Sequence, residues 1–149
     1  MAWHKIVIDA KTQLLKLFCD QREVFSAPVS TSRAGLGFDP GSFKTPTGLF
    51  RIREKIGQNA RPGTVFKGRV PVDDPSALGD DLITTRILWL DGLESENANT
   101  KERYIYIHGT NQESLVGQPV SHGCIRMRND DIICLFDMVP VDTWVEIRG

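Results

Sequence analysis

The chain has 149 residues, with 18 lysines and arginines against 19 aspartates and glutamates, and a net charge of −1 at pH 7. A chain of this length is typical of one domain that buries its own core, so we expect residues 1–149 to form a single domain. The near-neutral charge and the lack of a Lys/Arg block argue against nucleic acid or an anionic membrane as a partner. No apolar run approaches the roughly 20 residues that a membrane helix needs, so we expect no membrane insertion.

Short apolar or alternating runs separated by turn residues dominate the chain, and such runs are typical of β-strands. Turn signals, such as the Asp-Pro-Gly within residues 38–41, separate them. We therefore predict a mainly β fold, arranged as a sandwich or barrel. In chain order, the predicted strands cover residues 5–8, 14–18, 23–29, 49–53, 86–90, 104–107 and 144–147.

Two segments depart from the strand pattern. Asn129 can cap a short helix that ends before Pro140, because two aspartates follow it and apolar residues then recur at near-helical spacing. We predict that this single C-terminal helix packs on the sheet. Residues 57–81 are rich in Gly, Pro and Asp, and they form either part of a lid over the substrate or a solvated surface loop.

Two short motifs carry the chemistry, His-Gly-Thr at residues 108–110 and Val-Ser-His-Gly-Cys at residues 120–124. A thiol becomes a strong nucleophile as thiolate, so a catalytic cysteine needs an imidazole nearby and N–H donors directed at the developing oxyanion. Cys124 is the candidate nucleophile. Gly123, directly before it, allows a tight turn in which successive N–H groups form an oxyanion hole. The motifs therefore indicate acyl transfer.

Two histidines compete for the role of base. On an extended segment, His122 would sit about 6 to 7 Å from Cys124, too far for a direct hydrogen bond unless the chain bends. His108, at the end of a predicted strand, can face Cys124 from a neighbouring part of the sheet. His122 then lies near the oxyanion site or is a structural histidine. Ser121 either donates to the substrate or braces the turn.

Alternation places Tyr104, Tyr106 and His108 on one face of a predicted strand. The two tyrosines either form the floor of a substrate groove or are ordinary half-buried strand residues. His108, His122 and Cys124 are all able to bind zinc, but a His-x-Cys spacing fits none of the usual zinc patterns. We therefore predict no metal and no other cofactor.

Residues 108–127, HGTNQESLVGQPVSHGCIRM, resemble the signature of the L,D-transpeptidase (YkuD-like) catalytic domain, a His-Gly followed after a short loop by Ser-His-Gly-Cys. Upstream, PVST at residues 28–31 and TPTGLF at residues 45–50 match two further elements of that family. The first match departs from the family pattern at Ser32, where glycine is usual. The chain therefore resembles one such domain from about residue 3 to residue 147.

The resemblance implies that His108 is the base, because the histidine of the family's His-Gly element pairs with the cysteine. Its other ring nitrogen would bond to a backbone carbonyl, for which Gly109 is the matching position, so the triad has no carboxylate. The implied partner is a peptidoglycan stem peptide or muropeptide, which is rich in carboxylates. Arg126 either holds one of these carboxylates by a two-pronged hydrogen bond or forms an internal salt bridge that orders the loop.

On this basis Cys124 is expected to cleave the bond between the L-centre of the third-position diamino acid and a terminal D-amino acid, through a thioester. An amine that resolves the thioester makes the enzyme an L,D-transpeptidase, and water makes it an L,D-carboxypeptidase that trims or recycles muropeptides. An inactive module that binds wall peptides is the alternative from another class. A papain-like protease fits poorly, because its cysteine precedes its histidine in the chain.

The expected location follows from the N-terminal residues and the cysteines. Residues 1–20 contain charged residues and no uninterrupted apolar core, so the chain as written carries no signal peptide. Cys19, Cys124 and Cys134 are odd in number, which suits a reducing compartment. We expect a cytoplasmic monomer, or a periplasmic or wall-associated one if an export signal has been removed.

Overall fold

Ten strands of one curled sheet form the framework of the protein in the computed structural model, which describes residues 3–149. One helix and two short 3₁₀ turns, at Pro75–Ala77 and Glu113–Leu115, complete the regular structure of that range. The helix is α1 (Asn129–Met138), and the strands are β1 (His4–Asp9), β2 (Leu14–Cys19), β3 (Arg22–Pro28), β4 (Gly48–Ile56), β5 (Val65–Lys67), β6 (Val70–Val72), β7 (Ile83–Gly92), β8 (Tyr106–Thr110), β9 (Ile125–Met127) and β10 (Trp144–Arg148). The predicted mainly β fold with one short helix is confirmed. No helix of the described range is long and apolar enough to cross a membrane.

Strand β7 is the hub of the sheet. The main path runs β3-β2-β1-β10-β4-β7-β5-β6, and β8 and β9 extend the sheet from β7. Strand β7 pairs with β4, β5 and β8, all antiparallel. The pairs β1–β10 and β8–β9 are parallel. The β8–β9 pair matters most for function, because it places the two sequence motifs side by side.

The main hydrophobic core lies between the sheet and α1. The helix contributes Ile132, Leu135 and Phe136, which recur at the spacing of one helix face. Ile107 in β8 and Ile125 in β9 are both 0% exposed and belong to this core. Because side chains alternate along a strand, the residues next to Ile107 and Ile125 face the other side of the sheet.

The start of α1 differs from the sequence-based prediction. Arg128, not Asn129, occupies the N-cap position, and the structure shows no side-chain cap there. The Asn129 N–H instead donates to Glu113 Oε2 at 2.8 Å. The Asn129 side chain accepts from Thr84 Oγ1 at 2.6 Å and donates to Thr110 O at 3.1 Å. Tertiary partners therefore replace the local cap that a capping asparagine would normally provide.

Two other predicted segments also differ in detail. The strand predicted at 104–107 begins only at Tyr106, because Tyr104 lies in a turn with a φ of 57°. Residues 57–81 are not wholly irregular, because β5 and β6 form a hairpin within them. Val65 and Phe66 of that hairpin pair with the start of β7. The segment is therefore attached to the sheet at the strand that leads to the site.

Candidate active site

The parallel pairing of β8 with β9 brings the two motifs together. In its register Ile107 lies opposite Ile125 and His108 opposite Arg126. Both isoleucines point into the core, so His108 and Arg126 share the opposite face. Cys124 precedes Arg126 by two residues, and it lines the same cavity. The short parallel pairing of β8 with β9 thus brings together His108 and Cys124, which are sixteen residues apart in the sequence.

A cavity of about 190 Å³ contains both candidate catalytic side chains. A second cavity of about 640 Å³ adjoins it and shares Asp81, His122 and Arg126. The structure thus brings together five of the residues singled out from the sequence. The smaller cavity is lined by Asp81, Ile83, His108, Ser121, His122, Cys124 and Arg126.

His108 is held in one orientation by its neighbour in the chain. Its Nδ1 bonds to the carbonyl oxygen of Gly109, the position that the family resemblance singled out. A proton on Nδ1 leaves Nε2 as an acceptor. The side chain is buried, and this burial lowers the pKa of His108 to about 4, although the Gly109 carbonyl and Asp81 oppose the shift. The imidazole is therefore neutral at pH 7, which is the form a general base requires.

The Cys124 thiol is also neutral at rest. Its Sγ accepts from the Tyr106 N–H at 3.3 Å and donates to Tyr104 O at 3.3 Å. Burial raises the pKa of Cys124 to about 11. Within residues 3–149 no hydrogen bond joins Cys124 Sγ to His108. A thiolate is thus not the resting form.

The turn before Cys124 depends on glycine and on Ser121. Gly123 has a φ of 124°, a conformation that side chains rarely adopt. Its N–H donates to Ser121 Oγ at 3.2 Å, and Ser121 Oγ donates to Cys124 O at 2.6 Å. Ser121 therefore braces the turn, one of its two predicted roles. In the described part of the chain the Cys124 N–H has no partner, which leaves it available to an oxyanion.

The two upstream segments of the family resemblance lie against this turn. Ser30 exchanges two backbone hydrogen bonds with Arg126, both at 2.9 Å. Thr45 is fully buried, and its Oγ1 donates to Gly123 O at 2.9 Å and accepts from the Ser32 N–H at 3.0 Å. Ser32, which stands where glycine is usual, thus joins the brace. No side chain of these segments is a candidate catalytic residue, but the segments hold the loop that precedes Cys124.

Asp81 is a site residue that sequence reasoning missed. Its Oδ2 lies 3.0 Å from Arg126 Nη2 and 2.8 Å from His122 Nδ1. The internal salt bridge considered for Arg126 is therefore present, and Gln112 Oε1 accepts from Arg126 Nη1 at 2.9 Å. The Asp81 and His122 partners are 41 residues apart in the chain, and no local pattern marks Asp81. Asp81 is identified only by the structure, in which residues 57–81 bring it next to Arg126 and His122.

The two tyrosines belong to an aromatic cluster beside Cys124. Tyr106 is buried, and its hydroxyl accepts from Arg69 Nη1 at 2.9 Å. Tyr104 is 54% exposed and stacks on Trp89 with the ring centroids 5.8 Å apart. The Arg69 guanidinium lies 4.6 Å from the Trp89 ring centroid. Tyr104 precedes β8, so the tyrosines do not share a strand face as predicted. No motif in the sequence singled out Trp89 or Arg69.

The described residues contain no group of three or more His, Cys, Asp or Glu arranged to hold a metal ion. Cys19, Cys124 and Cys134 are free thiols. Cys19 and Cys134 do not line either cavity of the site. The chemistry that this arrangement supports is therefore that of one thiol beside one neutral imidazole.

The fold and the site together define the class of protein. A family model described as the L,D-transpeptidase catalytic domain (YkuD) matches residues 4–147. The chain therefore belongs to the L,D-transpeptidase catalytic domain family. This result confirms the resemblance that the two motifs indicated.

Relatives and solved structures agree with this assignment. The Bacillus subtilis protein YqjB, which carries an L,D-transpeptidase name, is 54% identical over 48 residues, which are 32% of this chain and 27% of YqjB. An L,D-transpeptidase from Mycobacterium smegmatis superposes with a TM-score of 0.64 at 21% identity, over 99% of this chain and 59% of that one. L,D-transpeptidase 3 from Mycobacterium tuberculosis, solved with a faropenem-derived adduct, gives 0.65 at 18% identity, over 99% and 61%. At these identities the structural likeness shows the fold, and the chain spans less than two thirds of each of these relatives.

Proposed function

We propose that this chain is a cysteine acyltransferase that acts on peptidoglycan stem peptides as an L,D-transpeptidase. The donor bond joins the L-centre of the third-position diamino acid to a terminal D-amino acid. One observation carries the proposal: Cys124 and His108 line a single cavity, and the Nδ1 of His108 is held by Gly109 O so that its Nε2 is an acceptor. Membership of the family supports the reaction type.

In the acylation step, Nε2 of His108 takes the thiol proton while Cys124 Sγ attacks the scissile carbonyl carbon. A C–S bond forms, and the carbonyl oxygen becomes an oxyanion. The free N–H of Cys124 stabilises it, and the Gly123 N–H can join when it gives up its 3.2 Å bond to Ser121 Oγ, a contribution of about 3 kcal/mol per donor in related acyl transfers. When the tetrahedral intermediate collapses, the C–N bond breaks, and the imidazolium returns its proton to the departing amine of the D-amino acid.

The thioester is then resolved by a second nucleophile. His108 is neutral again and takes a proton from an acceptor amine as the amine attacks the thioester carbonyl carbon. The new C–N bond forms, the C–S bond breaks, and the imidazolium returns the proton to Cys124 Sγ. The cavity of about 640 Å³ beside the site supports an amine acceptor, because it offers room for a second peptide. Water in place of the amine would give the L,D-carboxypeptidase reaction.

The surrounding residues are proposed to bind and orient the donor. Arg126 holds a substrate carboxylate once Asp81 has been displaced, and Tyr104 offers an exposed ring against which the peptide can pack. Tyr106 supports this wall from below, because it is buried against Trp89. We further propose that all of these parts belong to a single domain.

Mass spectrometry of the products tests the proposal. The protein is incubated with a disaccharide tetrapeptide, with and without an added D-amino acid, beside the variants Cys124→Ala and Cys134→Ala. Cys134 is an exposed free thiol and serves as the matched control. We expect exchange of the terminal D-residue or formation of a cross-linked dimer, lost in Cys124→Ala and kept in Cys134→Ala. Tripeptide alone would indicate the carboxypeptidase, and no Cys124-dependent product would favour an inactive binding module.

A further inference from the structure

A guanidinium and an imidazole at the edge of the catalytic cavity share a single carboxylate oxygen. Asp81 Oδ2 lies 3.0 Å from Arg126 Nη2 and 2.8 Å from His122 Nδ1. The three side chains line both the small cavity with Cys124 and the larger cavity beside it. Asp81 therefore stands at the junction of the two cavities, with its charge directed at Arg126.

Arg126 needs this anion because its charge is buried. Its side chain is only 3% exposed, and its other contact within residues 3–149 is the neutral amide oxygen of Gln112. A buried guanidinium without an anionic partner is strongly unfavourable. In the free protein, Asp81 is this anionic partner.

The Asp81 side chain can leave Arg126 without movement of its backbone. The carbonyl oxygen of Asp80 accepts from Asn111 Nδ2 at 2.9 Å and from Gln112 Nε2 at 3.1 Å. On the other side, the Leu82 N–H donates to Asn111 Oδ1 at 3.0 Å. The Asp81 side chain itself is 35% exposed, so solvent can receive its carboxylate after a rotamer change.

The donor carries a carboxylate in the right place to exchange with Asp81. Arg126 lies in β9, two residues beyond Cys124, and both side chains line the small cavity. If Cys124 attacks the last peptide bond of the donor, the terminal carboxylate lies one residue beyond the attacked carbonyl. A carboxylate there can form the two-pronged pair with Arg126 that a guanidinium favours.

We propose that Asp81 is a specificity-determining residue, because its carboxylate occupies the anion position on Arg126 that the terminal carboxylate of the donor takes on binding. The identity of that carboxylate rests on the proposed function. The exchange breaks no covalent bond and replaces one ion pair by another. A peptide with an amidated end leaves Asp81 in place and gains no ion pair. The site thus selects free C-terminal ends at Arg126.

Binding of two small probes tests this inference without turnover. N-acetyl-D-alanine carries the carboxylate and N-acetyl-D-alaninamide lacks it. In Asp81→Asn the Arg126 charge is unpaired, so the variant should melt at a lower temperature, and N-acetyl-D-alanine should bind about tenfold more tightly than to the wild type. The amide should bind both proteins equally. Asp73→Asn is the matched control, because Asp73 is exposed, lines neither cavity and has no ion pair in the described range, and it should behave as the wild type does.

The double variant Asp81→Asn/Arg126→Gln keeps the test decisive if the single variant does not fold. It contains no unpaired buried charge, and it should bind the two probes equally, whereas the wild type should prefer the carboxylate. A purely structural Asp81 would change the affinity for both probes alike, and that result would overturn the inference. Carboxylate preference that persists in the double variant would overturn it as well. Preference that depends on Arg126 in a protein without acyl-transfer activity would support the exchange and reject only the proposed function.

Discussion

Burial controls the protonation state of the two residues at the centre of the site. It lowers the pKa of His108 to about 4 and raises the pKa of Cys124 to about 11, so both are neutral across the range between these values. A neutral thiol beside a neutral imidazole carries no net charge. In the proposed mechanism the thiolate forms only when the substrate is present and the proton moves to His108.

The first prediction concerns alkylation of Cys124 by iodoacetamide. At pH 7 a thiol with a pKa of about 11 has about a hundredfold less thiolate than one at the ordinary value of 9, so Cys124 should react slowly. Its rate should rise about tenfold per pH unit until pH 11. Peptide mass spectrometry can follow Cys124 and the exposed Cys134 in the same sample. Faster modification of Cys124 than of Cys134 at pH 6 would instead indicate a resting thiolate.

The second prediction concerns Gly123, whose φ of 124° strains any other residue. In Gly123→Ala this strain, about 1 to 3 kcal/mol, should turn the loop and move the N–H groups of residues 123 and 124 away from the oxyanion. We expect kcat to fall about a hundredfold in the tetrapeptide assay, the size of loss that a small misplacement causes. Gly117→Ala is the control, because Gly117 has a φ of 108° but lines neither cavity. It should lose stability and retain activity; equal activity of the two variants would show that the Gly123 geometry is unimportant.

For the residues of the site, the sequence identified candidates but did not predict their protonation states. The motifs selected Cys124 and His108 as candidates, and the bond from His108 to Gly109 agrees with the family resemblance. The protonation states could not be predicted, because they depend on burial by residues from distant segments. Among those residues are Asp81 and Arg126, whose opposing charges both act on Cys124.

At the scale of elements, two parallel strands and two upstream segments hold the site. Strands β8 and β9 align the motifs, while the segment at Ser30 and the turn at Thr45 support the loop before Cys124. The support is polar and buried, so each missing partner leaves an unsatisfied backbone group. Rigidity of this loop is what an oxyanion hole requires, because its donors must not reorganise during the reaction.

The third prediction concerns Thr45, whose side chain provides one of these supports. Thr45→Val preserves side-chain shape but deprives Gly123 O and the Ser32 N–H of their partner, which should cost about 1 to 3 kcal/mol of unfolding free energy. Turnover should fall as well, because the loop before Cys124 loosens. Thr64→Val is the matched control, since Thr64 Oγ1 donates to Arg61 O at an exposed turn. Denaturant unfolding and the tetrapeptide assay measure both effects, and unchanged turnover in Thr45→Val would argue against the proposed support.

Long strands were predictable from alternation, and short ones were not. The predicted runs at 5–8, 14–18, 49–53 and 144–147 all lie within observed strands. Strands β5, β6 and β9 have three residues each, too few to show a period of two. They form through tertiary pairing, because β5 pairs with β7, β6 with β5, and β9 with β8. The predicted cap at Asn129 was also wrong because of tertiary contacts, since the Asn129 side chain hydrogen-bonds to Thr84 and Thr110 instead.

At the scale of the whole molecule, acid should unfold the protein partly through His108. An unfolded histidine has a pKa of 6.5, whereas His108 in the fold has a pKa of about 4. A lowered histidine pKa means that acid favours the unfolded chain, which binds the proton first. The stabilisation is complete above pH 6.5 and is lost as the pH falls towards 4. Glu146, whose pKa its partners Arg148 and Lys5 lower to about 2, acts only at lower pH.

The fourth prediction follows from that window. Between pH 7 and pH 4.5, His108 should account for a loss of about 2.5 kcal/mol in the free energy of unfolding. His108→Gln cannot be protonated and should show a flatter profile over this interval. Urea unfolding at several pH values provides the measurement, and identical slopes for His108→Gln and the wild type would show that His108 is not held neutral by burial.

The assembly of distant segments around Cys124 is the part that no local pattern could predict. Residues 57–81 form a hairpin and end at Asp81, and Arg69 in the hairpin turn reaches Tyr106. Trp89 in β7 contacts both tyrosines, because its ring stacks on Tyr104 and meets the Tyr106 ring edge-on. Such contacts arise only when the sheet has formed, because they join residues that are far apart in the chain.

The central claim is that Cys124 carries the acyl group, and trapping the thioester tests it most directly. The protein is mixed with the disaccharide tetrapeptide, quenched in acid within the first turnover, and examined by intact-protein and peptide mass spectrometry. We expect an added mass equal to the disaccharide tripeptide acyl group, located on Cys124, present in Cys134→Ala and missing in Cys124→Ala. Products formed without any adduct on Cys124, or an adduct on another residue, would contradict the account.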